Sequence, residues 1–441
     1  MFKGSLFGSS ITAILIKTPG TPAAAATVLD GYPLAQQGKG MKAMKMALYS
    51  SVFGDTFSDV MLIFAAGFLA SIALNFGPPE YTLLTGFSLI CISSLTGNSV
   101  WKGLLSVFLG MIIGMIGLDP ITATPRLTFD YLELEEGIGL IPMLIGTLAV
   151  SEALRQMEQP IKKLASSTLS FSKNKIDNIV TWAEFKSTLP TIVKSSGLGT
   201  LIGAMPGLGS TIAAFLAYGE AKRSSKFPEK FGKGSLEGVA ASEAANNAVS
   251  GSNMIPLLAF GIPGDIAAAL IMGAFLIQGI TLGPVVFQDN PVEIYAIFAA
   301  LIVANLLNLV LGHGLIKMCK HVVTVPKRLL FPAVLVIASA GAYALRGSLF
   351  DIQLVFCFGV LGYLMMKCDI PTVPMLIGFI LIPIFEENLR ITILLGSSHD
   401  LNIGFIFTRP AFLTLLLIMM VASFIVVKRR KLQNLEKINH K

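Results

Sequence analysis

Residues 18–22 read Thr-Pro-Gly-Thr-Pro, and this Pro-Gly break interrupts an apolar stretch near the start of the chain. A second break, Gly-Ile-Pro-Gly-Asp at residues 261–265, interrupts another apolar stretch in the second half. Each break follows a short run containing Gly and Ser, at 8–10 and at 251–253, and each is followed by three alanines. The matching flanks indicate an internal repeat. Because each break exposes backbone polar groups, membrane proteins tolerate such segments only where protein or a wet cavity surrounds them.

The composition places the chain among integral membrane proteins. Hydrophobic residues make up 54% of its 441 residues and charged residues only 13%, which is too little polar sequence to cover a soluble globule. A span of the hydrocarbon core needs roughly 17 to 25 apolar residues. We therefore predict an all-α polytopic membrane protein of two related halves that contain discontinuous helices and helical hairpins. Its spans are predicted at 57–76, 81–97, 101–117, 137–154, 293–312, 329–346, 351–367, 371–386 and 410–428.

Positive charge is concentrated in short loops and at the C-terminus, and the net charge is +7. Because Lys and Arg accumulate in the cytoplasmic loops of membrane proteins, we interpret these basic clusters as cytoplasmic and not as a nucleic-acid surface. A mixed polar stretch at 156–186 then divides the chain as a cytoplasmic linker. The pattern predicts a first transmembrane repeat at 1–155, a second repeat with the C-terminal spans at 187–428, and a basic cytoplasmic tail at 429–441.

The residue types that usually carry enzyme chemistry are sparse. Four cysteines lie far apart without paired spacing, and four histidines form no metal-binding motif, so we predict no disulfide framework, no metal site and no cofactor other than a coupling ion. An intramembrane hydrolase would need a nucleophile and its base at membrane depth, whereas the breaks offer Gly, Ala and Thr. We therefore predict that the chain is not an enzyme, and keep a membrane enzyme as the less favoured alternative.

A polar stripe runs along the helix predicted at 236–260. Glu243, Asn246, Asn247, Ser250 and Asn253 follow one another at spacings of three and four, which places them on one helical face. Such a face cannot contact lipid. It either joins helices through hydrogen bonds or lines a pathway for a solute or an ion. We favour the pathway because the stripe leads directly into the second break.

The breaks themselves suggest a binding chemistry. A helix that stops leaves unpaired carbonyl groups, which suit a cation such as Na⁺, and a helix that starts offers N–H groups, which suit a carboxylate. A third break at 203–210 precedes a short apolar helix predicted at 211–218. The predicted substrate-binding residues are Gly20, Thr21, Ala23, Gly207, Gly209, Ser210, Gly264 and Asp265. The predicted cation-binding residues are Ser9, Ser10, Ser250 and Asn253, and the pathway-lining residues are Glu243, Asn246 and Asn247.

Three acidic positions leave alternatives open. Asp265 would repel an anionic solute, and serves either as a helix N-cap or as a cation ligand. Asp55 and Asp59 form either a cation site or a pair of solvated helix-cap residues, and we favour the second interpretation. Residues 30–33, Asp-Gly-Tyr-Pro, predict a turn that ends a helix at the membrane surface.

The segment 18–38, Thr-Pro-Gly-Thr-Pro-Ala-Ala-Ala-Ala-Thr-Val-Leu-Asp-Gly-Tyr-Pro-Leu-Ala-Gln-Gln-Gly, resembles the signature of the large membrane subunit of tripartite tricarboxylate transporters, the TctA-type family. The breaks at 203–209 and 261–265 agree with it. This resemblance implies a secondary transporter that imports carboxylates across the bacterial inner membrane with a Na⁺ or H⁺ gradient. It also implies two partners, which are a small four-span membrane subunit and a periplasmic solute-binding protein.

One difference from that family concerns the start of the chain. The resemblance implies an additional first membrane segment with its own Pro-Gly-Leu-Gly break, whereas this sequence begins just before the Gly-Ser-Ser run at 8–10. We therefore expect the first repeat to lack its N-terminal segment. This expectation supports one alternative function, a truncated membrane assembly subunit of the same family that does not transport.

Overall fold

The computed structural model describes residues 2–17, 19–95, 99–119, 122–158, 172, 174–205, 209–318, 335–337, 339–344, 347–398, 403–417 and 419–420. Helices dominate these residues, and the predicted all-α class is confirmed. The predicted tail at 429–441 and residues 159–171 and 173 of the predicted linker lie outside the described residues.

The helices and strands follow one another in simple chain order. The helices before the predicted linker are α1 (Phe2–Ile16), α2 (Ala24–Gln36), α3 (Gly40–Ala73), α4 (Pro78–Leu95), α5 (Val100–Gly114), α6 (Leu132–Glu135), α7 (Leu140–Leu144) and α8 (Ser151–Glu158), with a π-helical turn at Ile145–Val150. A two-stranded antiparallel hairpin, β1 (Gly117–Leu118) and β2 (Pro125–Arg126), precedes α6. The later helices are α9 (Trp182–Gly203), α10 (Gly209–Ser224), α11 (Leu236–Ser252), α12 (Met254–Phe260), α13 (Ile266–Ile277), α14 (Val286–Asp289), α15 (Pro291–Met318), α16 (Leu349–Lys367) and α17 (Thr372–Ser398). Short 3₁₀ turns lie at Lys175–Asn178, Pro228–Lys230 and Ile403–Thr408.

Four helices of the described chain are long and apolar enough to cross a membrane. They are Gly40–Ala73, Pro291–Met318, Leu349–Lys367 and the Thr372–Gly396 part of α17. Each contains one of the predicted spans, at 57–76, 293–312, 351–367 and 371–386, apart from a few terminal residues. About half of each span predicted at 329–346 and 410–428 lies outside the described residues. The chain is thus a multi-pass membrane protein.

Internal contacts divide the chain into two units. The first comprises Met1–Ser71 and Gly139–Val373, and the second comprises Ile72–Ile138 and Pro374–Lys441. Each unit therefore combines sequence from before and after the predicted linker. The division into two related repeats at that linker stays a prediction.

The first unit is organised around α11, whose residues from Gly238 to Ser252 are all buried. Its neighbours approach closely because both sides carry small residues. A Cβ atom added to Gly54 of α3 would overlap the carbonyl group of Ala244. A Cβ atom added to Gly199 of α9 would overlap the carbonyl group of Ala245. Membrane helices pack in this way, since small residues allow backbones to approach and form van der Waals contacts.

The helix predicted at 211–218 is longer in the structure. It begins at Gly209 and continues to Ser224. Its polar C-terminal end is held by Glu220, whose carboxylate oxygens lie 2.7 Å from Lys194 Nζ of α9 and 2.5 Å from Arg223 Nη2. The predicted end of this helix at Tyr218 was wrong. The apolar residues end near Tyr218, but the helical backbone hydrogen bonds continue to Ser224.

Asp30 does not end a helix at a membrane surface, so the predicted turn at 30–33 is wrong. The carboxylate is buried inside α2, and its Oδ1 accepts the backbone N–H groups of Gly232, Gly234 and Ser235 at 2.8, 2.9 and 2.9 Å. These three N–H groups lie just before α11. The side chain thus fixes the loop that introduces α11, while α2 continues past Asp30 to Gln36.

In the second unit, α5 packs against the first half of α17 through glycines. A Cβ atom on Gly110 would overlap the carbonyl group of Met375, and one on Gly378 would lie 2.6 Å from the carbonyl oxygen of Val107. The hairpin is held to α17 by charge. Arg126 Nη1 lies 2.7 Å from the Glu386 carboxylate.

The glycines of α9 make the packing against α11 testable. We expect Gly199→Ala to lower stability by about 1 to 3 kcal/mol, because its Cβ atom would overlap the backbone of α11. Gly197→Ala is the matched control, since no atom lies within 4 Å of its Cβ position. That variant should be neutral or stabilising by about 0.5 to 1 kcal/mol, the helix preference of Ala over Gly. Thermal unfolding of the purified protein in detergent measures both, and equal melting temperatures would contradict the packing.

Candidate functional site

The Glu243 carboxylate lies at the centre of the first unit's polar residues and is completely buried. Its Oε1 accepts the hydroxyl of Ser10 at 2.6 Å and the hydroxyl of Thr27. Its Oε2 accepts the hydroxyl of Ser51 at 3.0 Å, and Asn247 Nδ2 lies at 3.5 Å. A single carboxylate thus joins four helices.

The donors come from α1, α2 and α3, and from α11 itself. All of them are neutral, and no ion pair reaches Glu243 in the part of the chain that the structure describes. Hydrogen bonds to a charged acceptor are each worth about 1.5 to 3 kcal/mol, and they stabilise the ionised form of a buried carboxylate. Glu243 was predicted to line a pathway, and the structure places it as the common acceptor of the first three helices.

The first break lies against the middle of α1. The hydroxyl oxygens of Ser9 and Thr21 are 3.0 Å apart, and a Cβ atom on Gly20 would come within 2.9 Å of the Ser9 Cβ atom. In the turn that follows, the N–H group of Ala24 bonds to the carbonyl oxygen of Thr21 at 3.1 Å. Among the described residues, the N–H groups of Gly20, Thr21 and Ala23 have no acceptor.

The Asp265 carboxylate of the second break is bonded to neighbouring protein groups. Asp265 begins α13 as its N-cap and accepts the N–H group of Ala268 at 2.9 Å and the Asn253 amide at 2.7 Å. Of the alternatives left open by the sequence, the structure shows the N-cap. Gly264 fits beneath Asn253, since its Cβ atom would lie 3.1 Å from the Asn253 Cβ atom. The left-handed backbone of this break is at Gly261, with φ of 72°.

The third break contacts the second break directly, and the helix that follows it contacts the start of α2. The carbonyl oxygen of Gly203, at the end of α9, would lie 3.2 Å from a Cβ atom on Gly264 of the second break. On the far side of the third break, Ala214 of α10 packs against Ala23 of the first. The segments around the three breaks are therefore linked through α10 and the end of α9. Gly207 lies outside the described residues, whereas Gly209, with φ of 65°, and Ser210 open α10.

The face of α11 between the breaks carries amide groups without partners. Asn246 is only 1% exposed, and neither its nitrogen nor its oxygen has a hydrogen-bond partner among the described residues. The same holds for the side-chain oxygens of Asn247 and Asn253. Buried polar atoms are normally bonded to protein, ordered water or a ligand. This face thus offers donors and acceptors to a bound solute.

Asp55 and Asp59 were expected to be solvated cap residues, and this interpretation is wrong. Both side chains are completely buried within α3. Asp55 accepts the hydroxyl of Ser250, and Asp59 pairs with Lys3 and accepts the Asn305 amide at 2.7 Å. Two carboxylates four residues apart inside an apolar helix were the available signal, since ionisable residues in such helices face the protein interior.

Sequence reasoning missed Lys3, Thr27 and Ser51. Each lies in an ordinary apolar or small-residue context that does not distinguish it from neighbouring residues. The partner of Thr27 and Ser51, Glu243, lies 216 and 192 residues further along the chain. Only the fold brings these groups together.

Broken segments that adjoin a buried polar face, in a chain of apolar helices, define a polytopic membrane protein with a polar interior. The chain matches the profile of the tripartite tricarboxylate transporter TctA family over residues 1–377. It belongs to that family, and the resemblance seen in the segment 18–38 is thereby confirmed. Family membership makes the chain a subunit of a tricarboxylate-type transporter.

Two similar proteins come from Agrobacterium vitis. The first, described as an uncharacterized 52.8 kDa protein in the TAR-I ttuC′ 3′ region, is 37% identical over 391 residues, which is 88% of this chain and 77% of the relative. The second, described as an uncharacterized protein in the TAR-II ttuC′ 3′ region, is 42% identical over 192 residues, which is 44% of this chain and 79% of the relative. No solved structure gives a significant match.

The Glu243 cluster predicts a specific loss of stability. Glu243→Ala removes the acceptor of three buried hydroxyl groups, so we expect a loss of about 3 kcal/mol or more, since each orphaned buried donor costs about 1 to 3 kcal/mol. Glu229→Ala, at an exposed position, should leave the melting temperature unchanged. Thermal unfolding in detergent compares them. The central role of Glu243 would be refuted by equal stability of the two variants.

Proposed function

We propose that the chain is the large permease subunit of a binding-protein-dependent secondary transporter that imports tricarboxylates or related carboxylates with a Na⁺ or H⁺ gradient. One observation carries the proposal. The second and third breaks adjoin the C-terminal end of α11 at Asn253 and at Val249 and Ser252, and the buried face of the same helix carries Asn246 with both amide atoms unpartnered among the described residues. In transporters, discontinuous helices form the substrate and ion sites near the middle of the membrane.

The groups at the first break suit an anion. The unpaired N–H groups of Gly20, Thr21 and Ala23 are donors, and the Thr21 hydroxyl adds another. At the second break the Asp265 carboxylate already caps α13, which favours the first break for the substrate's own carboxylate. Gly209 and Ser210 open α10 at the third break, and Gly264 keeps the second break narrow. Backbone donors recognise the carboxylate group that these substrates share.

For the coupling cation, we propose oxygen ligands on the two helices that lead into the breaks. Ser9 and Ser10 belong to α1, and Ser250 and Asn253 lie at the end of α11. Their hydroxyl and amide oxygens are the hard ligands that Na⁺ requires, and the free side-chain oxygen of Asn253 is one of them. Asn246, Asn247 and Glu243 would line the route between the two ends of this face.

The family's tripartite name supports two partners for this subunit. We propose a small four-span membrane subunit and a periplasmic solute-binding protein that delivers the carboxylate, with the chain in the bacterial inner membrane. Transport would proceed by exposing the site alternately to the two sides of the membrane, with the broken segments as fixed ligands.

The proposal predicts uptake by the assembled complex. Proteoliposomes that contain the chain with its partner subunits should accumulate radiolabelled citrate or a smaller carboxylate when a Na⁺ or pH gradient is imposed and the binding protein is present. A complex that assembles but takes up no carboxylate of the panel would show that the substrate class is wrong.

Asn246 gives the sharpest test of the site. Asn246→Ala removes both unpartnered amide atoms and should reduce carboxylate uptake about tenfold, the equivalent of one lost hydrogen bond of about 1.4 kcal/mol. Asn290→Ala, outside this face, is the matched control and should transport normally. Uptake at the control level by Asn246→Ala would place the substrate elsewhere.

A further inference from the structure

The polar cluster around α3 contains more negative than positive charge. The charged groups that act on Asp55 are Lys3 from α1, Asp59 from α3 itself and Glu243 from α11. Three carboxylates thus face one ammonium group. Asn305, on α15, is the uncharged polar neighbour of the Lys3–Asp59 pair.

Two of the three carboxylates are compensated. Glu243 accepts hydrogen bonds from several helices, and Asp59 is paired with Lys3 and with the Asn305 amide. Asp55 receives a single hydroxyl, from Ser250, and its Oδ2 has no partner among the described residues. It is also completely buried. Asp55 is therefore the acidic group of this cluster that lacks compensation.

A buried and unpaired carboxylate is unstable. Its desolvation costs far more than one neutral hydrogen bond returns, so the charge must be neutralised by a bound cation or proton. Because buried polar groups are normally satisfied, an uncompensated carboxylate indicates a ligand.

A second observation indicates where a cation would fit. Asp59 Oδ1, one helical turn from Asp55, also lacks a partner and is buried. A Cβ atom on Gly251 would come within 2.6 Å of this oxygen and within 2.7 Å of Ser58 Oγ. The free oxygen of Asp59 and the hydroxyl of Ser58, which bonds to the Asp55 carbonyl oxygen, thus face the Ser250–Gly251 segment of α11, and a side chain at Gly251 would occupy the space beside them.

We propose that Asp55, with Ser250, Ser58 and the free oxygen of Asp59, binds a monovalent cation coupled to transport, at an acidic site that shares Ser250 with the four oxygen ligands proposed above. The coupling of this cation to transport rests on the proposed function. The cation site itself rests only on the buried, uncompensated carboxylate. Na⁺ and H⁺ share the relevant chemistry, because either one neutralises Asp55. Ser250 lies four residues from Asn246 on the same face of α11, so cation binding would fix the helix that carries the substrate-facing amide.

The first experiment needs no carboxylate. The melting temperature of the purified full-length protein is measured in NaCl and in choline chloride of equal ionic strength, each at acidic and at alkaline pH. A cation that binds only the folded protein changes the unfolding equilibrium constant by up to tenfold for each tenfold change in its concentration. We expect the wild type to be stabilised by Na⁺ if the cation is sodium, and by acid in choline chloride if it is a proton.

Asp55→Asn supplies a neutral side chain of the same shape and should abolish that dependence. Asp289→Asn, the same change at an exposed position, should retain it. If Asp55→Asn does not elute as a folded protein in size-exclusion chromatography, Ser250→Ala and Gly251→Ala decide the question, because both should weaken the dependence. A wild type insensitive to both cations, or variants that keep the full response, would overturn the proposal.

Transport distinguishes this site from the proposed function. In proteoliposomes, Asp55→Asn should still exchange carboxylate across the membrane without a gradient, but should fail to accumulate it when a gradient is imposed. Accumulation at the wild-type level would overturn the assignment of Asp55. A wild type that responds to cations but moves no carboxylate would leave the cation site in place and refute the proposed substrate.

Discussion

The buried Glu243 carboxylate is the interaction on which the first unit depends. Ser10, Thr27 and Ser51 donate to it from three successive helices, and α11 carries it between them. No ion pair accompanies it within the described chain, and its hydrogen-bond donors are all neutral groups in fixed positions. These donors fix α1, α2 and α3 around the first break relative to the polar face of α11, which leads to the second break.

Close packing makes that hydrogen bonding possible. Gly54 and Gly199 allow α3 and α9 to approach the backbone of α11 at Ala244 and Ala245, the two residues that follow Glu243. Helices with larger residues at these positions would hold the hydroxyl of Ser51 out of reach. Small residues therefore serve the polar site and the apolar core at once, as expected where helices cannot rely on the hydrophobic effect between them.

The breaks, the polar face and the family were all predictable from the sequence, because Pro-Gly pairs and helical spacing are local signals. The locations of three acidic residues were predicted wrongly. Asp30, Asp55 and Asp59 were placed at turns or helix ends, since a carboxylate in an apolar segment suggests an interface when its partners are unknown. In the structure each is buried in a helix and bonded to groups distant in the chain.

By itself, the sequence determined that this is a helical membrane protein with broken segments and a polar face on α11, because composition, hydropathy and helical period act within a few turns of the chain. The tertiary structure decided which polar groups meet. Ser10 and Glu243 are separated by 233 residues, and Lys3 and Asn305 by 302. No local spacing encodes such pairs, because they depend on how whole helices pack, and the same packing leaves Asp55 without a compensating charge.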